Sequence, residues 1–562
     1  MTARRLVWML SAWAMGCAVA CSLVHAIFTL REDRAAPRSV IASLWEKGEL
    51  VGRAVLAHAG DRDRTLDASV SAHPGATLVY ESIVAEGPVM AWADPLLALS
   101  FVPGRDGAAA TVDGRTEYVT PDDLLVRQAY DNQLKWSSIG LTAGVDVPVL
   151  LAVLSERFGV SVHDLTDRVR IRRIRVARSI PGDAPERTVT ADAMTDDDVR
   201  QGAIAAGLYL ARGVDAQGRF RYLVDAPSNR TLPGYDWPRH AGATYYLAQV
   251  AALTGDSQVG WAALRAAGWM RDHAMVDCGV ARCIGSERRV DVGSTALAIL
   301  AFVEIVRTKL DPGYAQVVPG LTAFLRGQQR PSGDLMHLYD REERRPLDVQ
   351  LVYYTGEAAF ALSRAHALLG DPRDLAVASA ALAYLVGPGW SFFGSRYYYG
   401  EEHWTCQAMD DMWDRSPSLH ALDFCLRWHA FGRKVQYGAG DTPYDAEGAY
   451  GIGPLMAPRL TPAASRTEAA VATLHAAQRA GIPEAELALL QAQIRRSLAM
   501  LLRHQFRPGP RHLLADPAAV EGAIPASEVD WHLRIDFAQH AGSALLRWLA
   551  RLGPSPHTRP PS

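Results

Sequence analysis

Two glutamates, Glu357 and Glu468, and two histidines, His240 and His403, are the residues of this 562-residue chain whose types and positions best suit proton transfer. Each lies at or near the start of a segment rich in Ala, Gly and Leu. Paired carboxyl groups can flank a glycosidic bond, one protonating the leaving group while the other attacks or activates water. A histidine can remove a proton next to a carbonyl and return it. These four are the candidate catalytic residues. Around them stand Tyr235, Asp236, Arg239, Asp291, Tyr354, Trp404, Asp410, Arg466, Asp536 and His540, the candidate substrate contacts. Rings stack on pyranose faces, carboxylates accept hydrogen bonds from sugar hydroxyls, and arginine pairs with a uronate or another anion. The same residues have plainer uses. A carboxylate near a helix start complements the helix dipole, and a single histidine there is more often a hydrogen-bonded packing residue. The histidine spacing supports no metal site, and neither metal nor cofactor is expected.

The elements that must position these residues recur. Six segments share one plan: polar or aromatic residues, then a helix of small apolar residues. They are "WPRHAGATYYLAQVAALTGD", "VDVGSTALAILAFVEIV", "YYTGEAAFALSRAHALLGD", "EEHWTCQAMDDMWDRSP", "ASRTEAAVATLHAAQRAG" and "RIDFAQHAGSALLRWLA". Between them lie amphipathic helices such as "VGWAALRAAGWMRDHA" and "AELALLQAQIRRSLAMLLRHQ". Small-residue helices can pack closely inside while amphipathic ones face solvent outside. Six such hairpins would close an (α/α)6 toroid. Its inner helices would run the same way and gather their N-terminal ends at one rim, which favours anions. The Gly- and aromatic-rich "GPGWSFFGSRYYYGEEHW" before the fourth inner helix could cover that rim as a lid.

The pieces "ALTGD" and "ALLGDPRDLAVASAALAYLV" resemble the helix-turn-helix joints of the six-hairpin, (α/α)6-barrel superfamily. That superfamily includes N-acylglucosamine 2-epimerases, unsaturated glucuronyl hydrolases and many other glycosidases. The resemblance spans roughly residues 196–553. It implies a toroid with a carbohydrate-sized cavity, and its epimerase branch implies histidine as general acid and base. The zinc-holding toroids similar to lanthionine cyclases use Cys and His, and no matching cluster is present.

The rest of the chain sets the context. A net charge of -3 gives no sign of nucleic-acid binding. Residues 1–34 hold an uncharged run, Leu6 to Leu30, after Arg4 and Arg5. That run is longer than the roughly 20 residues that span a bilayer. It predicts an uncleaved anchor with the remainder exported. Residues 35–75 read as a helical stalk, 76–180 as a small α+β domain, 181–195 as a linker and 554–562 as a disordered tail. Cys278 and Cys283 lie close together in a turn-like segment and are the candidate disulfide of an oxidising compartment.

The expectation is therefore a mainly α protein: a C-terminal (α/α)6 toroid preceded by a membrane anchor and a small α+β domain. It would sit in a bacterial inner membrane with its bulk periplasmic or extracellular. Its partner would be a carbohydrate that it hydrolyses or modifies, in the cell envelope or outside the cell. Two readings stand beside that one. The chain could be a sugar epimerase or lyase using His and Tyr, or a non-catalytic toroid that binds glycan or protein in an envelope assembly.

Overall fold

The computed structural model describes residues 39–90, 93–131, 144–182, 189–286, 288–389, 403–451, 457–507 and 511–550. The expected anchor, the disordered tail and most of the lid segment lie outside them, as does part of the linker. Among the described residues no helix is long and apolar enough to cross a membrane. The expected inner-membrane placement is corrected on that finding, because the one run that suggested it is not among the described helices.

The expected stalk is also corrected. Residues 35–75 hold β1 (Val40–Glu46), β2 (Glu49–Leu56) and a helix, Arg64–Ala72. The run "VIASLW" is buried along its whole length, so it is a core strand and not a solvated helix. Lys47 and Gly48 both take positive φ, of 50° and 82°, and turn β1 tightly into β2. These strands join β3 (Thr77–Gly87), β4 (Asp106–Val112), β5 (Arg115–Val119) and β6 (Arg170–Ser179). Together they form one antiparallel sheet in the order β2-β1-β3-β6-β4-β5. The alternating arginines of β6 are not simply a solvated face. Arg173 is buried and donates to the Ser100 carbonyl, and Arg175 bonds Asp106 at 2.9 Å.

From residue 196 onward the chain is mainly helical. Among the described residues there, twelve helices have ten residues or more. They are α1 (Asp196–Arg212), α2 (Trp237–Thr254), α3 (Ser257–Ala274), α4 (Val292–Arg307), α5 (Val318–Gly327) and α6 (Tyr354–Leu369). The others are α7 (Pro372–Val386), α8 (His403–Met412), α9 (Leu419–Arg433), α10 (Leu460–Arg479), α11 (Glu484–His504) and α12 (Ile535–Ala550). The even-numbered helices contact one another in sequence, and α12 returns to α2, so they close an inner ring. The odd-numbered helices pack outside them. Sequence explains the layering. Helices such as α4 and α10 are buried on nearly every face and carry Ala, Gly, Ser and Thr where neighbours approach. Asp236 and Asp291 cap α2 and α4 by accepting backbone N–H bonds from Arg239 and Ser294.

The ring closes where α12 meets α2. A Cβ on Gly542 would lie 2.0 Å from the hydroxyl of Tyr246, which is buried and donates to the Ala203 carbonyl at 2.5 Å. Gly542→Ala should therefore break that bond or part the two helices. The expected cost is about 2–3 kcal/mol, read by urea unfolding. Unchanged stability would show that the seam is loose.

Among the described residues two disulfides are formed. Cys278–Cys283 staples a β-hairpin, and Cys406–Cys425 ties α8 to α9. The second had no recognisable spacing, because its partners, 19 residues apart, meet only once α8 and α9 fold back on each other as one hairpin.

Candidate active site at the inner-helix mouths

Polar side chains from neighbouring inner helices meet at one end of the ring. The contact between α12 and α2 is ionic. Asp536 bonds Arg534 at 2.6 and 2.8 Å and Arg239 at 3.1 Å. Arg239 also pairs with Asp236, which accepts a 2.7 Å bond from the Tyr222 hydroxyl. Burial alone would raise the Asp536 pKa, but Arg534 and Arg239 outweigh it and hold the carboxyl below its usual range. The guanidinium of Arg239 is thus already shared by two carboxylates. Arg466 stacks over the Tyr450 ring at 5.2 Å and donates to the Pro462 carbonyl. The expected role of these two arginines, holding an anionic sugar, gains nothing from this arrangement.

The next mouths bring carboxyl groups together. Tyr354 stands beside Asp291, and Trp404 beside Glu357. Glu357 stands in the first turn of α6 and is buried, and its Oε2 accepts no hydrogen bond among the described residues. Burial, then the nearby charge of Asp291, pushes its pKa up to about 8. Glu357 is therefore a neutral carboxylic acid at pH 7 and can donate a proton. Burial also raises Asp291.

The third group lies between α8, α10 and α12. His540 Nδ1 and Glu468 Oε2 are 2.7 Å apart, and Glu468 is buried. The His403 ring stands edge-on to that of His540, with centroids 5.3 Å apart. Trp404 forms the adjoining wall, its centroid 4.6 Å from His403 and 6.2 Å from His540. Oriented histidine is the arrangement that general base catalysis requires. A carboxylate on Nδ1 fixes the proton there, leaves the lone pair on Nε2 and stabilises the imidazolium that forms. Positive charge on His540 would lower the pKa of both Glu357 and Asp536, so the three groups lie within electrostatic reach of one another.

Other expected site residues lie elsewhere. His240 faces away from its histidine counterparts: Nε2 bonds the Ala266 carbonyl on α3 at 2.9 Å and Nδ1 bonds the Tyr235 hydroxyl at 2.8 Å. Burial lowers its pKa to about 4. It packs among Phe220, Trp237 and Trp269, and Tyr235 belongs to the same aromatic cluster. Asp410 is two turns down α8, ion-paired with Arg479 on α10. Burial raises its pKa to about 7. His240, Tyr235 and Asp410 are thus engaged in packing and pairing away from the Glu468–His540 group. Sequence reasoning had set His540 among substrate contacts; its bond to Glu468, 72 positions away, is what gives it the geometry of a base.

No family model matches the chain, and no curated protein does. Solved structures do. A D-mannose isomerase is 12% identical, with a TM-score of 0.49, over 63% of this chain and 97% of that one. A cellobiose 2-epimerase from Bacillus thermoamylovorans is 11% identical, with a TM-score of 0.46, over 63% and 99%. An unsaturated glucuronyl hydrolase specific for heparin is 12% identical, with a TM-score of 0.45, over 64% and 98%.

Proposed function

We propose that the inner-helix mouths carry out general acid–base chemistry on a neutral reducing sugar, moving a proton next to its carbonyl. The observation that carries this reading is the buried 2.7 Å contact of Glu468 with His540, which faces His403. A glutamate committed to orienting an imidazole is poorly placed to serve as the second carboxylate of a hydrolase. Epimerisation or isomerisation is accordingly favoured over hydrolysis.

In this mechanism the open-chain sugar lies against Trp404. His540 Nε2 takes the proton from the carbon beside the carbonyl, and the electron pair moves into an enediolate. The Glu357 carboxyl donates a hydrogen bond to the oxygen where negative charge develops. His403 delivers a proton, either to the opposite face of the same carbon, giving the epimer, or, once the neighbouring hydroxyl proton has passed to the former carbonyl oxygen, to the former carbonyl carbon, giving the isomer. Glu468 stabilises the imidazolium of His540 throughout. The pairing of Arg239 with Asp236 and Asp536 favours an uncharged substrate over a uronate.

The test is a product analysis with mannose, glucose, N-acetylglucosamine and cellobiose. The expected result is a new sugar isomer with no change in the number of sugar molecules. A rise in sugar molecules, from cleavage of cellobiose, would favour the hydrolytic reading instead.

A further inference from the structure

We propose that His403, Glu468 and His540 also form a binding site for one divalent transition-metal ion of the zinc class, and that the ion switches off proton transfer there. The second half rests on the acid–base reading above; the first does not.

Each residue offers one ligand atom, and the three atoms lie within 4.8 Å of one another. They come from three different inner helices, α8, α10 and α12, so the site is held by packed elements and not by a loop. Two imidazoles and one carboxylate are a donor set suited to zinc, and also to cobalt or nickel, with positions left open to water. Bond lengths near 2.0–2.2 Å would draw the widest pair of donors closer, a shift that side-chain rotation supplies. Calcium and magnesium prefer oxygen ligands and are poorly matched.

The surroundings also suit a cation. Glu357 is 5% exposed, its Oε2 accepts no hydrogen bond among the described residues, and it senses positive charge on His540. With Asp291 close by, it supplies latent negative charge that a bound cation would draw out. The proton between His540 Nδ1 and Glu468 is the one the metal must displace. Binding should shift that proton to Nε2 and weaken as pH falls, because an imidazolium cannot ligate. Once Nδ1 is metal-bound, Nε2 carries the imidazole proton and His540 ceases to be a base.

The experiment is calorimetric titration of the chelator-treated full chain with zinc chloride at pH 6 and pH 7.5, repeated for Glu468→Gln and His540→Gln. Circular dichroism would confirm that both variants fold. Cobalt(II) absorption in the visible provides a second readout, independent of sugar. The expected result is one zinc per chain, bound more tightly at pH 7.5, with affinity falling at least about tenfold in each variant. Absence of binding up to about 100 μM zinc, or binding unchanged in both variants, would overturn the site. Zinc binding with no sugar conversion under any condition would leave the site standing and sink the acid–base reading. Sugar conversion unaffected by saturating zinc would overturn the switch.

Discussion

His540→Ala is expected to lower kcat/KM for sugar conversion by at least about 10³-fold, and Glu468→Gln by about 10²–10⁴-fold. The two losses have different origins. Alanine removes the base itself. Glutamine leaves the imidazole in place but removes the charge that stabilises its protonated form, and its amide can turn the wrong group toward Nδ1. The double variant should therefore be little worse than His540→Ala alone, because the two residues act as one unit. Additive losses would show that Glu468 acts on substrate independently. His240→Ala provides the contrast. It opens a cavity in an aromatic cluster and should weaken folding, while turnover per folded molecule stays close to wild type. Steady-state assays scaled to the folded fraction decide between these outcomes.

Glu357→Gln is expected to stabilise the protein increasingly as pH rises. A carboxyl whose folded pKa is about 8 keeps its proton in the folded state after the unfolded chain, near 4.5, has lost it. Stability linked to this group is therefore full below about pH 4.5 and is lost as pH rises through about 8. Glutamine does not titrate, so the variant should escape that loss. Its advantage over wild type should be small at pH 4.5 and reach the order of 4 kcal/mol near pH 8. Glu357 is 5% exposed, so solvent screens little of this effect. Activity should move the other way. The acid is gone, turnover falls about 10–100-fold, and the alkaline limb near pH 8 disappears from the rate profile. Urea unfolding at several pH values and a pH–rate series test both halves. A variant less stable than wild type at pH 8 would mean that Glu357 is ionised and usefully paired.

The sequence was most legible where chain-local rules apply. Asp236 and Asp291 read as polar residues at helix mouths and cap α2 and α4. His403, Trp404, Glu468 and His540 stand out by residue type in the sequence, and contacts among these four assemble the candidate site. Their partnerships were not legible. Arg239 reads as a free cation until Asp536, 297 positions away, reaches it across the closing seam. Nor could sequence tell which histidine turns toward the other polar groups at the helix mouths. Helix α2 buries residues on nearly every side, so its apolar pattern gives weak phase information. His240 turns toward α3 and His540 toward α10. The misread stalk has a related cause: charged Glu46, Lys47 and Glu49 flank a hairpin turn, but they look like one face of a solvated helix.

Proton nuclear magnetic resonance in D2O tests the central claim most directly. The protein would be incubated with each reducing sugar and the hydrogen beside the carbonyl followed over time. The account predicts that deuterium enters at that carbon, at a rate that collapses in His540→Ala and in Glu468→Gln. Cleavage of a glycosidic bond with no deuterium on carbon, or exchange that persists in both variants, would contradict it.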